Sequence, residues 1–219
     1  MATNFRGSSS IDLTRIKQKK VREFIVHHGL ETLIGFSKMK SVCFVPEDEP
    51  SYRVHFKKFL VRKDIETVWK VYTQIHPKDA WNGDMVSFGL QYSQKTNCVN
   101  YLDDPYTGME KGQILILNLS ILGGILKIAV AHEVREVDEQ HKLIKLSYMD
   151  GGASEGSQWI NLQPTAEGFT EVHHKTLYKS NSKFRDTVLY PRLHTKAISE
   201  FHVNVKRIAE AIKSPALTV

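Results

Sequence analysis

Ten histidines and eight tyrosines supply most of the side chains that could do chemistry near neutral pH. A histidine ring can bind a carbonyl or shuttle a proton, and a tyrosine hydroxyl can polarise an oxygen. The pairs His27-His28 and His173-His174 are adjacent in sequence instead of four residues apart on a helix. Adjacent strand residues point to opposite faces, so they cannot share one metal ion. We therefore predict no metal and no other cofactor.

The spaced motifs of several large enzyme classes are missing from the sequence. It contains no G-x-S-x-G elbow of the kind that carries a nucleophilic serine. Gly123-Gly124 lies between two predicted strands, without a following helix or a Walker lysine, which excludes a phosphate-binding loop. No acid–base pair stands at a fixed spacing, so the catalytic residues are left unassigned.

Length and charge limit the class of protein. The chain has 219 residues, 41% hydrophobic and 25% charged, which suits one globular domain. The net charge of +6 is concentrated in residues 1–45, which carry +5, while the remainder carries +1. Nucleic-acid-binding proteins usually spread Lys and Arg along a folded face. The nearly neutral body therefore argues against a nucleic-acid partner.

The cysteines and the hydropathy pattern bear on the compartment. Cys43 and Cys98 match no metal spacing, and two thiols do not make a secreted disulfide framework. The polar segment Met1–Ser10 is followed by no apolar signal region. No apolar run reaches the roughly 18 residues of a membrane span. These features predict a soluble cytoplasmic protein.

Residues 1–45 are predicted to form a basic helical N-terminal arm. Ser10 or Asp12 can cap a helix that runs to about His28. In one interpretation the helix packs on the domain and leaves a solvated basic face. In the other, residues 12–40 bind an anionic membrane surface or an acidic partner. Deletion of the arm is expected to leave the domain folded.

Residues 51–213 are predicted to form the main domain, after an acidic linker at residues 46–50 flanked by two prolines. A strand at residues 52–61 is followed by a helix that begins at Asp64. Residues 85–179 then show an almost continuous strand pattern interrupted by short turns, which is typical of an antiparallel meander.

The C-terminal segment is predicted to be one long helix from about Asn181 to Lys213. Its apolar stripe contains Ile198, Phe201, Val205, Ile208 and Ile212. Pro191 lies inside this helix and removes one hydrogen bond, which predicts a kink or a break near Tyr190. Such a kink could gate a cavity mouth together with a long loop at residues 96–112.

This order of elements resembles the START-like (SRPBCC) superfamily, which includes START lipid-transfer domains, Bet v 1 allergens and polyketide cyclase/dehydrase proteins. The resemblance covers Tyr52–Lys213. Its most telling residues are Trp159–Pro164, Gly168 and Thr170–His174, which look like the paired late strands of the family. The resemblance implies an α+β helix-grip fold, in which a curved antiparallel sheet wraps around a long C-terminal helix. The N-terminal helical arm would be an addition to that fold.

In such a fold a ligand cavity lies between the sheet and the helix, with an apolar wall and a few polar groups that orient the ligand. The residues predicted to line it are His132, Tyr148, Gln158, His174, Thr176, Tyr178, His194 and Ile198. A register error of one residue would reverse every strand assignment. His174 is expected near the centre and Tyr178 near the rim. Replacing His174 with leucine is expected to leave the fold stable.

The resemblance and these residues predict a protein that binds or carries a hydrophobic small molecule, such as a lipid, an isoprenoid or an aromatic metabolite. The alternative is an enzyme of the cyclase or dehydrase type that uses His and Tyr as acid and base in the same cavity. A third possibility is an interaction protein with a filled core and no cavity. The missing acid–base spacing favours the binder.

Overall fold

Alternating apolar sequences pair into one antiparallel sheet of nine strands that curves around the C-terminal helix. The computed structural model describes residues 10–213. The strands are β1 (Ser41–Val42), β2 (Arg53–Val61), β3 (Val86–Ser93), β4 (Cys98–Asn100), β5 (Gln113–Ile121), β6 (Leu126–Asp138), β7 (Leu143–Met149), β8 (Glu155–Pro164) and β9 (Thr170–Lys179). Their order across the sheet is β2-β9-β8-β7-β6-β5-β3-β4, and β1 pairs with one end of β7.

Five α-helices accompany this sheet in the described part of the chain. They are α1 (Lys19–His27), α2 (Leu33–Lys38), α3 (Ile65–Gln74), α4 (Pro77–Ala80) and α5 (Tyr190–Ala211). Short 3-10 turns lie at Leu13–Arg15 and Pro46–Ser51. The open antiparallel sheet and the long C-terminal helix confirm the predicted α+β helix-grip architecture. None of the helices within residues 10–213 is long and apolar enough to cross a membrane.

Local sequence explains two of the element boundaries. Asp64 caps α3 by accepting a hydrogen bond of 2.9 Å from the Thr67 N–H, which would otherwise lack a partner in the first helical turn. The β5–β6 hairpin turns at Gly123 and Gly124, whose φ angles of +67° and +90° favour glycine. The predicted loop at residues 96–112 differs from the structure in one respect, because Cys98–Asn100 form β4 and pair with β3.

The C-terminal helix is irregular where proline predicts a kink or a break. Arg185–Leu189 form a π-helical turn, and α5 begins at Tyr190 with Pro191, which has no N–H, as its second residue. Residues 183–211 are helical without a gap, and the π-helical turn is the irregularity that Pro191 predicts near Tyr190. Ile212 lies beyond the end of α5 and is exposed, so it does not belong to the buried stripe.

The inner face of the sheet and α5 enclose the main core. Phe201 and Val205 of α5 pack with Trp69 and Tyr72 of α3. Strand residues complete this apolar cluster, namely Val61, Val134, Ile144, Leu146, Ile160, Leu162 and Val172. Side chains thus fill the space between the helix and one half of the sheet. The other half carries the polar residues of the candidate site.

The N-terminal arm packs on the sheet through a second apolar cluster. Ile16, Val21, Ile25 and Phe36 are fully buried in this cluster, together with residues of β3, β5 and β6. Helix α1 contacts β5 and β6. Removing the arm would expose this surface to water, which argues against the expectation that the arm can be deleted without effect.

Candidate functional site

Cross-strand pairing places most of the predicted site residues in adjacent rows on the inner face of the sheet. His132 pairs with Tyr148, and Gly156 pairs with Tyr178. In the next row, Leu146 pairs with Gln158, Gln158 with Thr176, and Thr176 with His55. His174 lies one row further along β9. Because side chains on a strand alternate, these residues all face α5.

A buried chain of hydrogen bonds begins at the hydroxyl of Tyr72 on α3. This hydroxyl lies 2.5 Å from Nδ1 of His202 on α5, whose Nε2 lies 2.8 Å from Nδ1 of His174. Nε2 of His174 in turn lies 2.9 Å from Oε1 of Gln158. Each of these four residues is at most 4% exposed. The chain therefore runs through the protein interior, out of contact with solvent.

Oε1 of Gln158 is also the acceptor at the end of a second branch of hydrogen bonds. Nε2 of His194 lies 3.3 Å from Gln158 Oε1, and Nδ1 of His194 lies 3.1 Å from Nδ1 of His55. The His55 Nε2 is 2.8 Å from the hydroxyl of Thr195. We call the seven residues Tyr72, His202, His174, Gln158, His194, His55 and Thr195 the histidine chain.

The acceptor oxygen of Gln158 sets the direction of every bond in the histidine chain. His174 donates to it from Nε2, so its Nδ1 accepts from the Nε2–H of His202, whose Nδ1 accepts from Tyr72. By the same logic His194 donates from Nε2 and accepts at Nδ1 from His55. All four rings are satisfied as neutral imidazoles, each donating once and accepting once.

Burial keeps these imidazoles neutral. It lowers the pKa of His174 to about 3, because a charged ring would lose its hydration. For the same reason the pKa values of His194 and His202 fall well below the ordinary value, and neighbouring histidines lower them further. The pKa of His55 is also lowered, by burial and by Lys57. At neutral pH the histidine chain carries no charge.

Tyr178 and Tyr190 form an aromatic stack with His194 of the histidine chain. The Tyr190 ring lies almost parallel to the Tyr178 ring at 3.5 Å between centroids and to the His194 ring at 4.8 Å, each at 16°. Its hydroxyl is hydrogen-bonded to that of Tyr148. Tyr178 donates to the backbone carbonyl of Asp186 at 2.7 Å. Burial raises the pKa of both Tyr148 and Tyr190, so both remain neutral phenols.

Two buried polar atoms in this region have no hydrogen-bond partner. They are Nε2 of His132 and Oγ1 of Thr176, both on the inner face. The His132 ring lies 4.8 Å from that of Tyr148, and burial lowers its pKa to about 4. A buried polar group without a partner costs about 1–3 kcal/mol. Such atoms mark a place where a bound molecule can supply the missing hydrogen bonds.

The structure brings the predicted site residues together more closely than the sequence indicates. His174, Gln158 and His194 belong to one hydrogen-bonded chain, and Thr176 lies beside it. Tyr178 was expected near the rim but is buried beneath Tyr190. Ile198 is buried on α5. No cluster of three metal-ligating side chains occurs among residues 10–213.

Several members of the site were missed by the sequence analysis. His202 follows His194 and Ile198 at four-residue intervals, so its helical spacing was a usable signal. His55 alternates with Lys57 along β2, which hides its inward orientation. Tyr190 lies four residues before His194 on α5, so the same helical spacing was a usable signal for it as well.

Comparison with solved structures identifies the fold class. Norcoclaurine synthase from Thalictrum flavum, solved with dopamine and hydroxybenzaldehyde, aligns at a TM-score of 0.55 with 17% identity over 81% of this chain and 99% of that one. Major latex-like protein 151 from Panax ginseng aligns at 0.52 with 12% identity, over 72% and 97% of the two chains. Ara h 8.0201 aligns at 0.51 with 10% identity, over 74% and 99%.

These neighbours all have the Bet v 1-like fold of the START/SRPBCC superfamily, as the sequence resemblance predicted. At such low identity the likeness establishes the fold of this chain and leaves its chemistry open. No protein-family model and no curated protein matches the sequence. What the site does must therefore be argued from its own geometry.

Proposed function

We propose that the protein binds a small hydrophobic molecule with a polar group, between the inner face of the sheet and α5. The observation that carries this proposal is the pair of buried polar atoms without partners, His132 Nε2 and Thr176 Oγ1. Polar groups of a ligand that reach either atom would satisfy a group that the fold leaves unpaired. The lipid, isoprenoid and aromatic classes predicted from the sequence are all compatible with this arrangement.

The surroundings of these two atoms suit an uncharged ligand. The neutral histidines offer no charge to an anionic head group, because their lowered pKa values keep them unprotonated at neutral pH. Aromatic rings and aliphatic side chains such as Ile198 supply the apolar wall. The complex of norcoclaurine synthase with dopamine and hydroxybenzaldehyde indicates that a protein of this fold can hold small aromatic molecules. We place the protein in a reducing compartment such as the cytoplasm, since Cys43 and Cys98 are free thiols.

An enzyme of the cyclase or dehydrase type is the second candidate, and the histidine chain favours it. The run from Tyr72 through His202 to His174 consists of hydrogen bonds that all point in one direction, which can pass a proton to or from a buried substrate. The low pKa values weigh against this role, because an imidazole with a pKa of about 3 is a poor base at neutral pH. Binding without catalysis is therefore the function that the site supports better.

Native mass spectrometry of the full chain tests the proposal. A panel of oleyl alcohol, farnesol and hydroxyaromatic molecules would be screened against the wild-type protein and Thr176→Val, which removes the hydroxyl but keeps the shape. We expect at least one member to bind and Thr176→Val to weaken it about tenfold, which corresponds to one lost hydrogen bond of about 1.4 kcal/mol.

Thr170→Val is the matched control for this experiment. Thr170 lies on the same face of β9, but its hydroxyl already donates to the carbonyl of Lys63 at 2.8 Å. This variant should lose stability without losing affinity for the bound molecule. If no panel member binds the wild-type protein, or if both threonine variants bind as tightly as wild type, the proposed site is wrong.

A further inference from the structure

Tyr190 occupies a position that is built like a ligand site. Its ring is held between two parallel rings, Tyr178 on one side and His194 on the other, and its hydroxyl bonds to Tyr148. We call the space enclosed by Tyr178, His194 and Tyr148 the tyrosine slot. Two flat walls and one hydroxyl partner are the features that recognise a planar ring bearing a hydroxyl group.

The backbone at Tyr190 departs from the regular hydrogen-bond pattern of an α-helix. The Tyr190 N–H bonds to the carbonyl of Arg185, five residues earlier, and π-helical turns of this kind occur often at functional sites. The next residue, Pro191, has no N–H to join the helical ladder. The turn is thus coupled to α5 by fewer backbone hydrogen bonds than a regular helix would provide.

The side chains of this turn are weakly held by the core. Phe184 is 63% exposed and Leu189 is 40% exposed, so outward movement would uncover little additional apolar surface. The turn is anchored by polar bonds: the Asp186 carboxylate accepts from the N–H and hydroxyl of Ser180, its carbonyl accepts from Tyr178, and Arg185 donates to the carbonyl of Ala153. A cleft of about 650 Å³ lies next to it, lined by Arg185, Ser180 and the loop at residues 149–155. Displacement of the turn would connect the tyrosine slot with this cleft.

We infer that the tyrosine slot is the aromatic subsite of the binding site, and that the ligand is a neutral hydroxyaromatic molecule that replaces the Tyr190 ring when the turn at residues 185–190 moves outward. This inference rests on the proposed function and narrows it to one ligand class. The ligand hydroxyl takes over the bond to Tyr148, and a second polar group can reach the unpartnered Nε2 of His132, whose ring neighbours Tyr148. Tyr190 is then an internal occupant that competes with the ligand.

Competition between Tyr190 and the ligand predicts the relative affinities of the variants for p-cresol. This molecule has the same ring and hydroxyl as a tyrosine side chain. Wild-type protein must expel Tyr190 before p-cresol enters, so its apparent affinity is reduced by the fraction of molecules with an open slot. Tyr190→Ala removes that cost, and we expect it to bind p-cresol at least tenfold more tightly than wild type. Tyr190→Phe keeps the ring but loses the bond to Tyr148, and should give an intermediate affinity.

Calorimetric titration of the full-length variants with p-cresol and toluene tests the inference. In Tyr190→Ala, p-cresol should bind severalfold more tightly than toluene, and an added Tyr148→Phe should abolish that difference. In wild type, saturation with p-cresol should increase hydrogen exchange at residues 185–190. Circular dichroism in the near ultraviolet establishes that each variant is folded.

Three results would overturn the inference. Equal affinity of wild type and Tyr190→Phe for p-cresol would show that Tyr190 does not compete with the ligand. Binding by Tyr190→Ala without any binding by wild type would show that the slot is only an engineered void. Unchanged exchange at residues 185–190 would show that the turn stays closed. If oleyl alcohol or farnesol still binds in a Thr176-dependent manner, the proposed function survives, whereas failure of every ligand removes both.

Discussion

Nε2 of His202 lies 2.8 Å from Nδ1 of His174, and this single hydrogen bond joins the C-terminal helix to the middle of β9. Both residues are 1% exposed. His174 also donates to Gln158, so both of its ring nitrogens are engaged. The pair fixes how α5 sits against the sheet and orients the histidine chain on either side of it.

We predict that His174→Leu destabilises the fold by about 1–3 kcal/mol, because it leaves the buried Nε2–H of His202 without a partner, while Gln158 keeps its bond from His194. The sequence alone suggested that leucine would be tolerated. Urea unfolding followed by fluorescence measures the change. His173→Leu is the matched control, since this adjacent residue faces the other side of the sheet and should cost less than about 1 kcal/mol. Equal losses for the two variants would contradict the prediction.

We predict that stability falls as the pH drops below about 6.5, the ordinary histidine pKa. In the unfolded state the buried histidines take up protons there, whereas in the folded state His132 and His174 stay neutral down to pH values of about 4 and 3. The unfolded state therefore binds more protons, and each such histidine contributes a slope of about 1.4 kcal/mol per pH unit. The stability that comes from burying neutral histidines is fully present above pH 6.5 and is lost as the pH falls toward 4.

Urea midpoints measured between pH 7.5 and pH 4.5 would reveal this dependence. His132→Phe tests its origin, because that ring nitrogen has no hydrogen-bond partner to lose. This variant should lower the slope of unfolding free energy against pH by about 1.4 kcal/mol per pH unit, which is the contribution of one histidine. A slope unchanged by His132→Phe would mean that other groups cause the acid sensitivity.

We predict that the N-terminal arm contributes to stability through its buried face. Ile25 of α1 is fully buried, and Ile25→Ala should cost about 2–5 kcal/mol. Its neighbour Val26 is 52% exposed, so Val26→Ala should change stability by less than about 1 kcal/mol. Thermal unfolding of both variants gives the comparison. If residues 1–45 form a separable arm instead, both substitutions will leave the melting temperature nearly unchanged.

We predict that Gly156 tolerates no side chain. It pairs with Tyr178 at a φ of +131°, and a Cβ atom there would lie 1.9 Å from the carbonyl oxygen of Leu177. Gly156→Ala should therefore cost at least about 3 kcal/mol or prevent folding. Gly168→Ala is the control, because its φ of +78° is also positive but no atom lies within 4 Å, so it should cost only about 1–2 kcal/mol. A soluble Gly156→Ala protein with near-normal stability would refute the steric argument.

The inner face of β9 illustrates what could be predicted from sequence. His174, Thr176 and Tyr178 share one face because side chains alternate along any strand, and that period needs no knowledge of the partner strands. The apolar stripe of α5 follows from the 3.6-residue period in the same way, and the irregularity near Pro191 follows from its missing N–H. Local covalent geometry determines these features, and the residue order alone therefore suffices to find them.

Tertiary structure alone decided which of these residues meet. His174 and His202 are 28 residues apart, and His55 and His194 are 139 residues apart, so each pair depends on where α5 lies against the sheet. Tyr148 and Tyr190 are 42 residues apart and meet for the same reason. Whether the N-terminal arm packs on the sheet depends on whether their two apolar surfaces are complementary in shape. The sequence of the arm or of the strands alone does not show this. The sequence thus determined the face of each element, while the pairing of faces arose from long-range packing that no local period encodes.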